Sequence, residues 1–328
     1  MKNSKPIKIL FAAEDPGGFN TLWPVYLQTG GTFYLAGTSK LIAKEKKIPF
    51  IPADNFTEEQ IQETINKENP DAVLTGTSLG QSLDKLFISA AKHLKIPVAS
   101  IIDFWINYSQ RFTALPDKIF IMDDFAKEEM LREGFDQKLL KVTGNPFFDT
   151  FRPGIKKGEN ITFFSPFYTE ITKNPLNLNE VEALADFVAA FEELKIASPI
   201  LIKNHPKSTR PDKFEQIIAQ SPLKIQLTQE NPETLIENSF LVIGLNSMPL
   251  FQAALMGKRV ISYQPGLKGP DPLISNKLGF STAIYKKEDL TVAIKKTLQE
   301  EPKPPSFPKN ATQNVIKELH EMCLHHSS

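Results

Sequence analysis

Short apolar runs alternate with longer amphipathic stretches along the first 150 residues. Continuous apolar runs at 7–13, 33–37, 72–75, 97–103, 118–122 and 140–143 predict buried strands, and 48–51 adds a shorter one. Helical spacing between them predicts helices at 20–28, 57–68, 80–94 and 124–133, the last closed by Gly134 as a C-cap. Strands at this spacing with helices between them build βαβ units and a parallel sheet. Asn145-Pro146 breaks the pattern, and 151–160, with Pro153, Gly154 and Gly158, reads as a linker. The alternation then restarts, with strands at 161–165, 200–203, 224–227, 240–244, 259–263 and 281–285. Helices are predicted at 179–194, 211–219, 232–237, 249–256 and 288–299. A Pro-rich tether at 301–308 leads to a last helix, 310–324, whose Val315, Ile316, Leu319 and Met322 share a face that must bury. The expected organisation is an α/β domain over 1–152, a second over 160–305, and a helix over 309–324 that returns to the first.

Composition narrows the function. A chain of 328 residues suits two domains of ordinary size. Thirty-eight Lys and Arg balance 38 Asp and Glu, which argues against a nucleic-acid partner and against strong electrostatic attachment to anionic lipid. The single Cys323 excludes an internal disulfide and supplies no thiolate metal cluster. The start, Met1 to Pro6, runs straight into a predicted strand with no signal-peptide pattern, and a cytoplasmic location is expected. Two uncharged stretches, 16–39 and 238–257, are interrupted by Gly17-Gly18, Pro24 and Gly30-Gly31, and by Gly244, Asn246, Ser247 and Pro249. They fit strand–turn–helix units better than membrane spans. Peripheral contact with a membrane stays compatible with the composition.

The chemistry-bearing residues gather at predicted strand ends, where parallel sheets bind ligands. Strand 240–244 runs into Gly244-Leu245-Asn246-Ser247-Met248-Pro249, and strand 200–203 into Lys203-Asn204-His205-Pro206. A small hydroxyl residue at a helix start leaves N–H groups for an anion, and a nearby His and Lys add charge-assisted donors. Together these residues make a phosphate or diphosphate cradle without a P-loop. Strand 7–13 runs into Glu14-Asp15-Pro16-Gly17-Gly18-Phe19-Asn20, where glycines admit a ligand to the backbone and two carboxylates stand at the mouth. The spacing is not Gly-x-Gly-x-x-Gly, so a dinucleotide is not indicated. Asp103, followed by Trp105, Tyr108 and Arg111, suits a wall facing a sugar: aromatic faces pack on C–H surfaces while a carboxylate takes a hydroxyl proton. The plainer reading makes the aromatics core residues and Asp103 a turn cap.

Thr143-Gly144-Asn145-Pro146 at the end of an N-terminal α/β domain resembles the interdomain segment of GT-B glycosyltransferases and of UDP-N-acetylglucosamine 2-epimerases. His205-Pro206 is similar to the His-Pro motif of bacterial sialyltransferases, polysialyltransferases and Kdo transferases, and Asn246-Ser247 falls where those families carry Ser-Ser or Ser-Thr. The resemblance implies a GT-B type α/β fold, two Rossmann-like domains with parallel sheets facing a cleft. It further implies a donor phosphate held by His205 and Ser247, and a glycosyltransferase of surface polysaccharide or glycoconjugate synthesis. Its partners would be a nucleotide sugar as co-substrate, with no cofactor, and a carbohydrate or lipid-linked glycan acceptor. On this reading Asp15, Asp103 and His205 are the catalytic candidates, and Glu14, Gly17, Gly18, Asn20, Trp105, Tyr108 and Arg111 bind the acceptor side. Lys203, His205, Pro206, Gly244, Asn246, Ser247 and Gln252 bind the donor nucleotide.

Three departures from the family pattern bear on this. Many UDP- and GDP-sugar enzymes carry Glu before Ala in the helix after the phosphate turn, where this chain has Gln252-Ala253, a weaker acceptor for ribose hydroxyls. That tilts the donor towards a CMP or CDP compound. The acidic motif that supplies the sialyltransferase base is not cleanly present, and Met248 replaces the second Ser. No Asp-x-Asp occurs, so a metal-independent reaction is expected. An epimerase-like enzyme and a catalytically inactive nucleotide-binding homologue are the alternatives.

Overall fold

The computed structural model describes residues 7–151, 158–166, 168, 174, 176–205, 208–302 and 305–326. The chain divides into two compact units: Met1–Thr150 with Phe307–Ser328, and Phe151–Ser306.

Unit 1 carries a seven-stranded parallel sheet of β1 (Ile9–Ala13), β2 (Thr32–Leu35), β3 (Ile51–Pro52), β4 (Ala72–Thr75), β5 (Val98–Ile101), β6 (Lys118–Ile121) and β7 (Leu140–Val142). The order is β3-β2-β1-β4-β5-β6-β7. Its helices are α1 (Pro16–Thr29), α2 (Ser39–Glu45), α3 (Glu58–Glu68), α4 (Leu83–His93) and α5 (Asp124–Arg132). Helices cover both faces, which is why the central strands read as unbroken apolar runs rather than alternating ones. Ile9, Phe11 and Ala13 of β1 pack with Phe19, Leu22 and Val25 of α1. Leu10 and Ala12 of the same strand pack with Phe87 and Ile88 of α4. Helix α3 starts in a capping box: Gln60 N donates to Thr57 Oγ1 and Thr57 N to Gln60 Oε1.

Two expectations for this unit shift. Helix α1 begins at Pro16, before the predicted 20–28, because Pro presets the first helical φ and Gly17-Gly18 belong to the first turn, not to a loop. The strand placed at 48–51 is the edge strand Ile51–Pro52. Sheet order reverses between β1 and β4, and there Gly18 and Gly76 meet backbone to backbone: a Cβ on Gly76 would stand 2.5 Å from Gly18 Cα.

Unit 2 has a six-stranded parallel sheet of β8 (Asn160–Phe164), β9 (Ile200–Lys203), β10 (Ile225–Leu227), β11 (Ser239–Gly244), β12 (Arg259–Tyr263) and β13 (Thr282–Ile284). The order is β10-β9-β8-β11-β12-β13. Its helices are α6 (Glu180–Glu193), α7 (Glu215–Gln220), α8 (Pro232–Glu237), α9 (Met248–Leu255), α10 (Ile274–Lys277) and α11 (Leu290–Gln299). An aromatic group of Phe163, Phe187, Phe191, Phe214 and Tyr263 fills the space between sheet and α6. The helix predicted at 211–219 is a 3-10 turn over Pro211–Phe214 followed by α7.

The last helix, α12 (Ala311–His326), belongs to unit 1. Val315 and Leu319 are fully buried in the core beside α1. Asp149 caps the helix by accepting from the backbone N–H groups of Ala311 and Thr312 at 3.1 and 2.7 Å. Among the described residues no helix is long and apolar enough to cross a membrane. The stretch 16–39 contains α1 and β2, and 238–257 contains β11 and α9.

Candidate functional site

The order of the unit 2 sheet reverses between β8 and β11, so their connections leave in opposite directions and open a crevice beyond the carboxyl ends. Three strand ends line it. Strand β8 delivers Phe164, Ser165 and Pro166, β9 delivers Lys203, Asn204 and His205, and β11 delivers Asn246 and Ser247. With Tyr168, Pro232, Met248 and Pro249 they enclose about 410 Å³. One basic wall, one helix start and an otherwise apolar lining suit a ligand with a phosphate at one end and a flat or apolar group at the other.

Ser247 is the N-cap of α9, in extended conformation (φ −84°, ψ 147°), and its hydroxyl does not cap its own helix. It donates instead to the Phe164 carbonyl at 3.5 Å. The first-turn N–H groups of a helix have no intrahelical acceptors, and the helix dipole favours negative charge there. Gly244 lets β11 close on β8: a Cβ there would stand 2.8 Å from the Phe164 carbonyl oxygen. The Asn246 amide donates to the Tyr168 hydroxyl, and burial raises the Tyr168 pKa. Behind the wall, Lys213 donates to the Pro166 carbonyl at 3.3 Å and pairs with Glu180 at 3.0 Å. Both ends of that ion pair are buried, with 2% and 0% of the side chain exposed.

Of the residues expected at the donor side, Lys203, His205, Asn246 and Ser247 share this crevice. Gln252 sits half-buried in α9 and does not line it, and Pro206 lies outside the described residues. Tyr168, Pro166 and the Glu180–Lys213 pair had no sequence signal. They come from an aperiodic segment, from the start of α6 and from a 3-10 turn, and only the folded chain assembles them.

A second polar cluster stands at the matching place in unit 1, beyond β1, β4 and β5. Asp103 Oδ1 accepts from Arg111 Nη1 at 2.6 Å and from Thr77 Oγ1 at 3.3 Å. Arg111, itself buried, also donates to Thr77 Oγ1 at 3.0 Å and to the Ile106 carbonyl at 3.2 Å. Loss of solvent raises the Asp103 pKa, with the Arg111 guanidinium pulling the other way. Glu14 Oε2 accepts from Leu83 N at 2.8 Å and so caps α4. Asp15 is exposed at the N-cap of α1 with no side-chain capping bond, and Asn20 is half-buried in α1.

The structure removes Trp105 and Tyr108 from the proposed sugar wall. Trp105 is 3% exposed, donates through Nε1 to Asp123 at 2.8 Å and stacks on Phe148. Tyr108 is 1% exposed and donates to Glu129 at 2.9 Å. Both are core residues whose polar tips are satisfied inside the unit. Arg111, expected to meet substrate, is committed to Asp103 and Thr77.

Asp84, fully buried in the first turn of α4, was not anticipated. Burial pushes its pKa up from 3.8 to about 6, against the pull of Ser78 and Ser82. The folded chain therefore holds a proton that the unfolded chain has released, and stability falls as pH rises from about 4 through about 6. Asp84→Asn, which cannot ionise, is expected to gain melting temperature over the parent above pH 6 and to lose that gain near pH 4. A gain independent of pH, read by calorimetry across this range, would contradict the assignment.

Comparison with known proteins shows the fold. No family model matches the sequence, and no curated protein does. Among solved structures, the UDP-GlcNAc 2-epimerase of Methanocaldococcus jannaschii aligns with a TM-score of 0.72 at 16% identity, over 96% of this chain and 100% of its own. The Neisseria meningitidis UDP-GlcNAc 2-epimerase bound to UDP-GlcNAc aligns at 0.71 and 14% identity, over 96% and 100%. MurG of Acinetobacter baumannii aligns at 0.58 and 14% identity, over 95% and 99%. The chain thus has the GT-B type fold, with one parallel α/β sheet in each unit, as expected from the sequence.

Proposed function

We propose that this chain is a glycosyltransferase that moves a sugar from a nucleotide-sugar donor to a carbohydrate acceptor without a metal. The observation that carries the reading is the crevice at the β8/β11 reversal, where Lys203, His205 and the α9 start with Ser247 line one space. Those groups would hold the donor phosphates. In the transfer step the acceptor oxygen bonds to the anomeric carbon and the bond from that carbon to the phosphate oxygen breaks. The electron pair leaves with the nucleotide, and the acceptor proton passes to a base, for which Asp15 and Asp103 are the carboxylate candidates of the sequence. Lys203, His205 and the helix start stabilise the charge that develops on the departing phosphate. Solved structures of this fold include one bound to UDP-GlcNAc and one in complex with UDP and glucose, which supports a nucleotide sugar as the ligand. A CMP- or CDP-linked donor rests on the family pattern alone, in which many UDP- and GDP-sugar enzymes carry Glu where this chain has Gln252, a residue outside the crevice lining. The acceptor would be a glycan, free or lipid-linked, and the product a surface polysaccharide or glycoconjugate.

A second reading has one observation in its favour: the two epimerase structures align at TM-scores of 0.72 and 0.71, against 0.58 for MurG. An epimerase-like enzyme would turn over a UDP-sugar with no acceptor present. Incubation with CMP-, CDP-, UDP- and GDP-sugars, with and without a glycan pool, separates the two. Nucleotide release that depends on acceptor supports transfer. Sugar interconversion from a UDP-sugar alone supports epimerisation, and neither result with any donor supports an inactive nucleotide-binding homologue.

A further inference from the structure

Beyond β12 the chain turns through 264–276, and polar side chains gather there on one carboxylate. Asp271 Oδ1 accepts from Gln264 Nε2 at 3.0 Å and from Leu273 N at 2.8 Å. Its Oδ2 accepts from Asn276 Nδ2 at 2.7 Å and from the Tyr285 hydroxyl at 2.6 Å. The same two amides reach a second oxygen: Ser262 Oγ, in β12, accepts from Gln264 Nε2 at 3.0 Å and from Asn276 Nδ2 at 2.9 Å. Ser262 in turn donates to the Leu245 carbonyl at 2.5 Å. Ser262, Gln264 and Leu245 are fully buried. Leu245 stands between the end of β11 and Asn246, where the crevice lining begins on that turn. We infer that Asp271 and Ser262 position the turn between β11 and α9, and with it Asn246 and Ser247, for the ligand of the crevice; this rests on the nucleotide-sugar reading above.

The chemistry of the groups fixes the direction of each bond. Against the loss of solvent, the bonds from Tyr285, Gln264, Asn276 and Leu273 N hold the Asp271 carboxyl below its ordinary pKa, so it is ionised at neutral pH. An ionised carboxylate only accepts, so each amide turns its NH2 group towards Asp271. One hydrogen of each NH2 goes to Asp271 and the other to Ser262 Oγ. With both lone pairs of that oxygen engaged, the hydroxyl proton of Ser262 is left for an acceptor, and among the described residues that acceptor is the Leu245 carbonyl. A hydroxyl that would otherwise rotate is thereby held as a donor to the turn. From there the Asn246 amide donates to Tyr168, and Leu250 N donates to the Ser247 carbonyl at 3.0 Å. The arrangement costs something: Gln264 Oε1 is buried with no partner among the described residues. A buried acceptor left unpaired is destabilising, and a network serving stability alone would avoid it.

The experiment titrates CMP, CDP, UDP, GDP and ADP into the parent, Ser262→Ala and Asp271→Asn at a temperature where each is folded. Amide hydrogen exchange over 245–248 and melting temperatures are measured on the same proteins. Ser262→Ala removes one oxygen and decides the matter even if Asp271→Asn folds poorly. It is expected to bind the nucleotide that the parent binds best about threefold or more weakly, the worth of one hydrogen bond, and to exchange faster over 245–248. Asp271→Asn sets an amide against four donors and should lose on the order of tenfold. A loss of melting temperature without these changes is what a merely structural role would give. If Ser262→Ala binds within about threefold of the parent, or leaves exchange over 245–248 unchanged, the inference fails while the nucleotide reading stands. If the parent binds none of the five nucleotides, both fail.

Discussion

His205→Ala is expected to lose on the order of 10²–10³-fold in sugar transfer, the cost of removing one donor aimed at developing charge. Its folding stability should change by about 1 kcal/mol or less, as for substitutions outside the core. His205 is half-buried at the end of β9, on the lining of the crevice and not inside the sheet core. Ile200 and Ile202, which anchor the strand, are untouched by the change. The loss should fall on kcat, because a donor to the leaving phosphate gains strength as charge builds there. Urea melts and initial rates on the same preparation check it. A variant that loses stability and activity together would make His205 a structural residue.

The largest stability effect is expected at Glu180. Its carboxylate and the Lys213 ammonium lie 3.0 Å apart with 0% and 2% of their side chains exposed. Breaking a buried ion pair by removing one partner costs about 3–5 kcal/mol. Glu180→Ala should therefore cost about that much in unfolding free energy. A double change, Glu180→Leu with Lys213→Met, should recover most of it, because buried ion pairs are commonly replaceable by apolar residues of similar volume. Lys213 also bonds the Pro166 carbonyl on the crevice wall, so the single variant should bind nucleotide more weakly as well. Denaturant titration of the three variants checks this. Equal stability of the parent and Glu180→Ala would contradict this.

The fold was readable because its signal is repeated. Each central strand, such as β1 with all five residues buried, announces itself as an unbroken apolar run, and helices fall between. Short elements escaped. Helix α2 buries only Ser39 and Ala43, and α10 spans four residues, so neither presents an apolar stripe long enough to show a period. The residues around the crevice were legible as strand ends: Lys203 and His205 follow one strand, Asn246 and Ser247 another, and in a parallel sheet both ends lie on the same side, here flanking β8. What the sequence hid is set by distance along the chain. Trp105 looks like a sugar platform until Asp123, 18 residues on, accepts its N–H, and Tyr108 until Glu129, 21 residues on, accepts its hydroxyl proton. The same holds for Arg111, whose guanidinium is taken up by Asp103, eight residues back.

On the proposed reading, the β8/β11 crevice holds a nucleotide through His205 and its neighbours. The most direct measurement is a thermal-shift titration with CMP, CDP, UDP, GDP and ADP on the parent and on His205→Ala. A ligand at one hundred times its dissociation constant should stabilise by roughly 2.7 kcal/mol. At least one pyrimidine nucleotide should stabilise the parent, CMP or CDP above UDP, and the shift should be absent or much reduced in His205→Ala. No shift with any nucleotide, or an equal shift in both proteins, would mean that His205 holds no nucleotide in this crevice.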